Sequence, residues 1–250
     1  MINLSDPPLL VAVAATFLVA GIVKGVTGMG LPTVAMGVLG GLLSPLAAAA
    51  LLVIPSFVTN VSQLLAGQSI MPIVRRLWPM MAGVVLGTFA GSSLLKDGGT
   101  VLGNFMLGLA LAVYAVYTLL ARPFQVGPQC ERWLSPLVGG VTGLVTGATG
   151  VFVIPAVPYV QALGLRRDDL VQALGLSFTV STVALATALG SRGVVEMETL
   201  LLSAAAVAPA LLGMWMGQYI RRRVSPAAFK RCFLIALALL GLEMMLRGVL

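Results

Sequence analysis

The stretch "AGIVKGVTGMGLP", Ala20 to Pro32, puts four glycines, a threonine, a proline and a lysine into an otherwise apolar run. Lys24 is the only basic residue inside such a run and away from its ends. Beside it, Gly25, Thr27, Gly28 and Gly30 allow the backbone to turn sharply and to approach a ligand closely. Amides freed at the start of a half-helix favour an anion. A second cluster, Gly143, Thr146, Gly147, Thr149 and Gly150, has the same character. Two further apolar runs carry neutral polar groups: Ser56, Thr59, Asn60, Ser62 and Gln63 in one, and Gln172, Ser177, Thr179, Ser181 and Thr182 in the other. Amides and hydroxyls bind oxyanion oxygens without trapping them. The competing readings are that Lys24 snorkels to headgroups, and that the glycines, serines and threonines serve helix packing and interhelical hydrogen bonds. Asn60 and Gln63 are harder to assign to packing, because burying an amide without partners costs several kcal/mol. The candidate substrate-binding residues are therefore Lys24, Gly25, Thr27, Gly28, Gly30, Asn60, Gln63, Thr146, Gly147, Thr149, Gly150, Ser177 and Ser181.

Other chemistries lack their residues. The chain has no histidine, and no Asp or Glu lies deep in an apolar run; Glu243 sits near the end of one, with Arg247 at i+4 as its expected partner. No general base stands beside a serine, so catalytic residues, a metal site, a cofactor and an enzymatic activity are not expected. Cys130 and Cys232 are isolated thiols. The net charge of +7 comes from short basic clusters without interleaved aromatics, which argues against nucleic acid as a partner.

The elements that must hold these residues are membrane helices. Of the 250 residues 59% are hydrophobic and 9% charged, too few charges to coat a water-soluble globule. Apolar runs at 9–28, 46–68, 77–95, 100–121, 134–149, 170–190, 198–220 and 232–248 approach the ~20 residues that span a ~30 Å hydrocarbon core. The first run lacks the basic flank of a cleaved signal peptide and is read as a membrane helix. Shorter runs at 31–43 and 151–164 each follow a glycine cluster. Ignoring the short runs splits the basic residues six against eight, with no bias. Pairing each short run with the helix before it places Arg75, Arg76, Arg122, Arg132, Arg166, Arg167, Arg221, Arg222, Arg223, Lys230 and Arg231 on one side. Only Lys96, Arg192 and Arg247 remain on the other. Positive charge accumulates on the cytoplasmic side, so both termini are expected outside. Each pair is then either two crossings or a hairpin that enters and leaves on one face.

The two halves share a layout. "VTGMGLPTVAM" from Val26 returns loosely as "VTGATGVFVIPAV" from Val145, and "PMMAGVVLG" from Pro79 matches "PALLGMWMG" from Pro209. The first half starts outside and the second inside, so the repeats, 1–124 and 125–250, are expected to be inverted. The expected fold is an all-α polytopic membrane protein of two inverted-topology repeats, each a glycine-hinged broken or re-entrant helix pair plus three transmembrane helices. Inverted repeats with interrupted helices point to a secondary transporter with its site near the midplane.

These elements resemble the sulfite exporter TauE/SafE family, also called the toluene-sulfonate uptake permease family. The residues that carry the resemblance are "GVTGMGLP" in the first half and "GLVTGATGVFVIPAVPYVQALGLRRDDLVQALGLSFTVSTVA", Gly143 to Ala184, in the second. In the first half Pro32 comes early and the hinge has fewer glycines than the family pattern. The resemblance implies a multi-pass protein of the bacterial inner membrane that exports small sulfur-containing or organic anions such as sulfite, sulfoacetate or other sulfonates. The partners expected are a small anionic substrate and the lipid bilayer. An anion channel and a non-transporting scaffold subunit are the alternatives; a scaffold predicts a fully packed interior.

Overall fold

Proline opens four of the helices, where its missing N–H costs nothing and its fixed φ suits the first turn. The computed structural model describes residues 7–97, 99–121, 124–193 and 196–247, all helix, turn or loop with no strand among them. In chain order the helices are α1 Pro7–Thr27, α2 Leu31–Leu42, α3 Pro45–Leu65, α4 Ile70–Asp97, α5 Gly99–Leu120 and α6 Pro128–Thr149. They continue with α7 Ala156–Ala162, α8 Arg167–Ser191, α9 Met197–Ala205, α10 Val207–Ile220 and α11 Pro226–Arg247. Ser44 caps α3, its hydroxyl accepting from the Ala47 amide at 3.2 Å. Asp168 and Asp169 in the first turn of α8 complement its positive end.

Among the described residues, six spans are long and apolar enough to cross a bilayer: α1, α3, α4 to Leu95, α5 from Val101, α8, and α9 with α10 taken together. Helices α6 and α11 have 22 residues each but carry charges within their first two turns. Helices α2, with 12 residues, and α7, with 7, are too short to cross ~30 Å at ~1.5 Å per residue.

The expected runs form helices, with two differences. The run 151–164 is helical only from Ala156; Val151 to Val153 are fully buried without helical structure, and the Ile154–Pro155 peptide is cis. The run 198–220 breaks at Ala206, because Pro209 has no N–H to give Ala205 and its ring crowds that carbonyl. The Lys96 and Arg247 side chains and Arg122 lie outside the described residues, and the expected Glu243–Arg247 pairing lies outside them too.

Several helix pairs meet backbone to backbone, α4 with α6 and α1 with α10 most closely. In α4 against α6, a Cβ on Gly87 would stand 2.2 Å from the Gly140 carbonyl oxygen, and one on Gly143 2.2 Å from that of Val84. In α1 against α10, a Cβ on Gly25 would stand 2.3 Å from the Met214 oxygen, and one on Gly217 2.2 Å from that of Ile22. Small residues let membrane helices approach this closely, where dispersion replaces the absent hydrophobic drive. Helix α3 packs on α8 between these pairs, and α5 packs on α11.

Candidate functional site

Helix α1 stops at Thr27 because the backbone turns left-handed at Gly28 (φ 79°), whose amide closes on the Lys24 carbonyl at 2.7 Å. The Thr27 hydroxyl donates to the Val23 and Met29 carbonyls at 2.8 and 2.6 Å and accepts from the Met29 amide. Gly30, at φ 106°, starts α2. Thr27 is thus a lock on the turn, and its hydroxyl is committed to backbone.

One helical turn before this break, Lys24 is buried, only 3% exposed. Its Nζ donates to Thr59 Oγ1 at 3.1 Å and to Asn60 Oδ1. Asn60 Nδ2 donates to Thr182 Oγ1 at 3.1 Å, and Thr182 donates to the Phe178 carbonyl at 2.7 Å. A polar chain therefore runs from α1 through α3 to α8. This placement removes the snorkelling reading, since a side chain directed to headgroups does not end on two buried acceptors of a neighbouring helix.

Gln63 lies one turn along α3 from Asn60. Its Nε2 donates to the Gly28 carbonyl at 3.2 Å and the Val171 carbonyl at 3.0 Å, tying the first hinge to α8. Its Oε1 is buried without a partner. Gln172 is structural: its amide accepts from the Ser69 N–H at 2.9 Å and donates to the Leu64 carbonyl at 2.7 Å.

Two cavities meet around these groups. One, of about 290 Å³, is lined by Thr27, Gly28, Gln63, Gln161, Arg167, Arg221 and Lys230 among apolar neighbours. The other, of about 200 Å³, is lined by Lys24, Gly25, Gly28, Ser62, Gln63, Gln218 and Arg221. They share Gly28, Gln63, Val171 and Arg221, so they are read together as one cleft. A third, of about 250 Å³, adjoins at Gln161 and Lys230. Asp and Glu are absent from all three linings. Asp169, close by in sequence, is held by Arg166 at 2.9 Å. Cations facing a cleft with apolar walls concentrate small anions there.

The first-half candidates converge: Lys24, Gly25, Thr27, Gly28 and Gln63 line the cleft, and Asn60 binds Lys24 behind it. Gly30 packs beneath the turn, where a Cβ would meet Val23 at 2.7 Å. The second-half candidates sit apart from the cleft lining. Thr146 and Thr149 return their hydroxyls to the carbonyls of Thr142 and Val145, each at 2.7 Å. Gly147 packs on α4, and Gly150 turns at φ 71° against Met36. Ser177 and Ser181 are buried on α8 with unpartnered hydroxyls, as is Ser56 on α3. The sequence reading passed over Arg167, Arg221, Lys230, Gln161, Gln218 and Thr182 as site residues. The first three entered only as topology charges, and their signal was available: they are the basic residues of segments that flank the hinge once the chain folds back.

The family model described as Sulfite exporter TauE/SafE matches residues 13–244 of the chain. No curated protein and no solved structure matches it.

Proposed function

The chain belongs to the sulfite exporter TauE/SafE family, a family of multi-pass membrane transporters and not of enzymes, and on that premise we propose that it is a secondary transporter exporting small sulfur-containing or organic anions. Sulfite, sulfoacetate and other sulfonates are the substrate class. The observation that carries this reading is the cleft lined by Arg167, Arg221, Lys230 and Lys24 with no carboxylate among its lining residues. A cation carrier needs acids there, and a scaffold needs no cleft at all.

The substrate site lies where the cleft reaches Lys24 and Gln63, with Thr27, Gly28 and the Asn60 amide as its frame. Ser177 and Ser181, with hydroxyls still to be satisfied, line the deeper end that opens when α3 and α8 shift. Access alternates between two inverted repeats, 1–124 and 125–250. Three packing relations support that division: α1 lies on α10 as α6 lies on α4, and α3–α8 and α5–α11 join like to like. The short α2 and α7 act as re-entrant arms. The cleft opens beside Arg166, Arg167 and Arg221 to Arg223, the side that the positive-inside rule makes cytoplasmic, with both termini outside. The membrane is the bacterial inner membrane.

Proteoliposomes test this. Sulfite, sulfoacetate or methanesulfonate should move with saturable kinetics and show counter-exchange. Flux that rises linearly with concentration and shows no counter-exchange would make the protein a channel; no flux of any of the three would overturn the reading.

A further inference from the structure

Among the described residues, Lys24 has acceptors for two hydrogens, not three. Thr59 commits its own hydroxyl hydrogen to the Pro55 carbonyl at 2.8 Å, so toward Lys24 its oxygen can only accept. Asn60 points its amide nitrogen at Thr182, whose hydrogen is spent on Phe178, which leaves Asn60 Oδ1 for Lys24. Two fixed acceptors satisfy the two N–H bonds of a neutral amine. An ammonium carries a third. The remaining face of Lys24 borders the cavity of about 200 Å³, where its charged companion is Arg221, another cation.

Among the described residues, the packed elements offer no counter-ion there. Helices α2 and α3 have no titratable side chain; α10 brings Tyr219 and, at its end, Arg221. Helix α8 brings Arg167, Asp168 and Asp169 in its first turn, and α11 brings Lys230, Arg231, Cys232 and Glu243. Glu243 lines a separate cavity with Gly37 and Met244, and neither aspartate lines this one. A buried ammonium facing only another cation is costly, and a small anion in the cavity supplies both the third acceptor and the missing charge.

We propose that Lys24 takes one proton from water as the anion enters and returns it as the anion leaves, so that anion and proton cross together. The amine lone pair accepts the proton, no other bond changes, and a monoanion then moves without net charge. For export, the outward anion gradient must exceed the inward pull of the proton gradient. This inference rests on the cleft being the anion's route.

The test uses purified full-length protein and methanesulfonate, which stays a monoanion throughout. Weakly buffered indicator dye should report about one proton taken up per anion bound, and affinity should fall about tenfold per pH unit at the alkaline end of a range from about pH 6 to about pH 9. Lys24→Arg carries a permanent cation, so its affinity should be independent of pH and its proton uptake absent. Lys24→Met should bind at least about tenfold more weakly, also without uptake. Lys230→Gln should still take up one proton per anion bound. Binding by the wild type without proton uptake overturns the coupling and leaves the anion reading standing. So does uptake that persists in Lys24→Arg or Lys24→Met. Failure to bind methanesulfonate, sulfoacetate or sulfite overturns both.

Discussion

The first hinge, after α1, and the second, after α6, are built alike at the turn and differ in what they carry. Thr149 repeats two of the bonds of Thr27: its hydroxyl donates to the carbonyl four residues back and accepts from the amide two residues on, without the added contact of Thr27 to the Met29 carbonyl. Gly150 repeats Gly28, at φ 71° against 79°, with its amide bonded to the carbonyl four residues back at 2.8 against 2.7 Å. Beyond the turn they part. The first opens on the cleft, while the second leads into Val151, Phe152 and Val153, all fully buried, with the Phe152 ring tilted against that of Phe178 at 5.5 Å between centroids. Where the first hinge has Lys24 four residues before its turning glycine, the second has Thr146. The turn and its lock are common to both hinges; the charge belongs to one.

The largest effect should come from breaking that difference. Lys24→Met removes a charge-assisted donor, each such bond being worth ~1.5–3 kcal/mol, and anion affinity should drop roughly 10- to 100-fold. Thr146→Val, at the matching place in the second hinge, loses one bond to its own helix and should leave transport within about twofold. Radiolabelled substrate uptake into proteoliposomes checks both. Equal losses would mean that the second hinge shares the chemistry.

The glycine-packed pairs give the next largest effect, on stability. Gly217→Ala in α10 and Gly87→Ala in α4 each drive a Cβ to 2.2 Å from a facing carbonyl oxygen. Overpacking of this kind costs ~1–3 kcal/mol, and both variants should melt several degrees lower in detergent. Gly147→Ala sharpens the comparison. The last packing glycine of α1, Gly25, matches Gly143 by its contact with the partner helix, yet α6 runs a further turn through Gly147, itself 2.3 Å from the Thr88 oxygen by the same measure. Gly147→Ala should therefore destabilise too, showing that the extra turn is part of the α4–α6 contact.

That extra turn explains one limit of the sequence. Matching Val26-Thr27-Gly28 with Val145-Thr146-Gly147 aligns the halves nearly by their helix contacts, whereas the hinges align Thr27-Gly28 with Thr149-Gly150, a shift of three positions. Both sets of residues are Thr-Gly, and only the backbone tells which Thr-Gly turns. The membrane helices were legible because apolar length is written locally. The break before Pro209 followed from proline but was hidden inside an unbroken apolar run. Lys24 could be singled out from sequence, but its burial depended on Thr59 and Asn60, which lie 35 and 36 residues away. Arg167, Arg221 and Lys230 illustrate the harder case: a terminal charge and a cleft-lining charge look identical until the helices are placed.

The turning glycines come next. A left-handed backbone costs a residue with a Cβ ~1–2 kcal/mol. At Gly28 a Cβ would meet nothing within 4 Å, so Gly28→Ala should show little more than that cost. At Gly150 the Cβ would also press on Met36 Sδ and Cε at 2.9 Å, so Gly150→Ala should cost ~2–3 kcal/mol. Thermal unfolding ranks the two, and the reverse order would mean that the second turn is the looser one.

The smallest expected effect separates lock from site. Thr27→Val and Thr149→Val each delete a hydroxyl that bonds only backbone, and each should lose ~1 kcal/mol of stability. By stability alone these two threonine variants should therefore look the same. Transport should distinguish them, because Thr27 borders the cleft while Thr149 does not line it. Loosening the first turn shifts the Gly28 carbonyl, which Gln63 holds at 3.2 Å, and with it an amide that lines the cleft. Thr27→Val should raise the half-saturating anion concentration a few-fold, about what a 1 kcal/mol change produces, with the maximal rate kept. Thr149→Val should change neither. A matching shift in both variants would mean that the second turn moves with the first during transport, so that the sealed hinge is a working part of the cycle and more than scaffold.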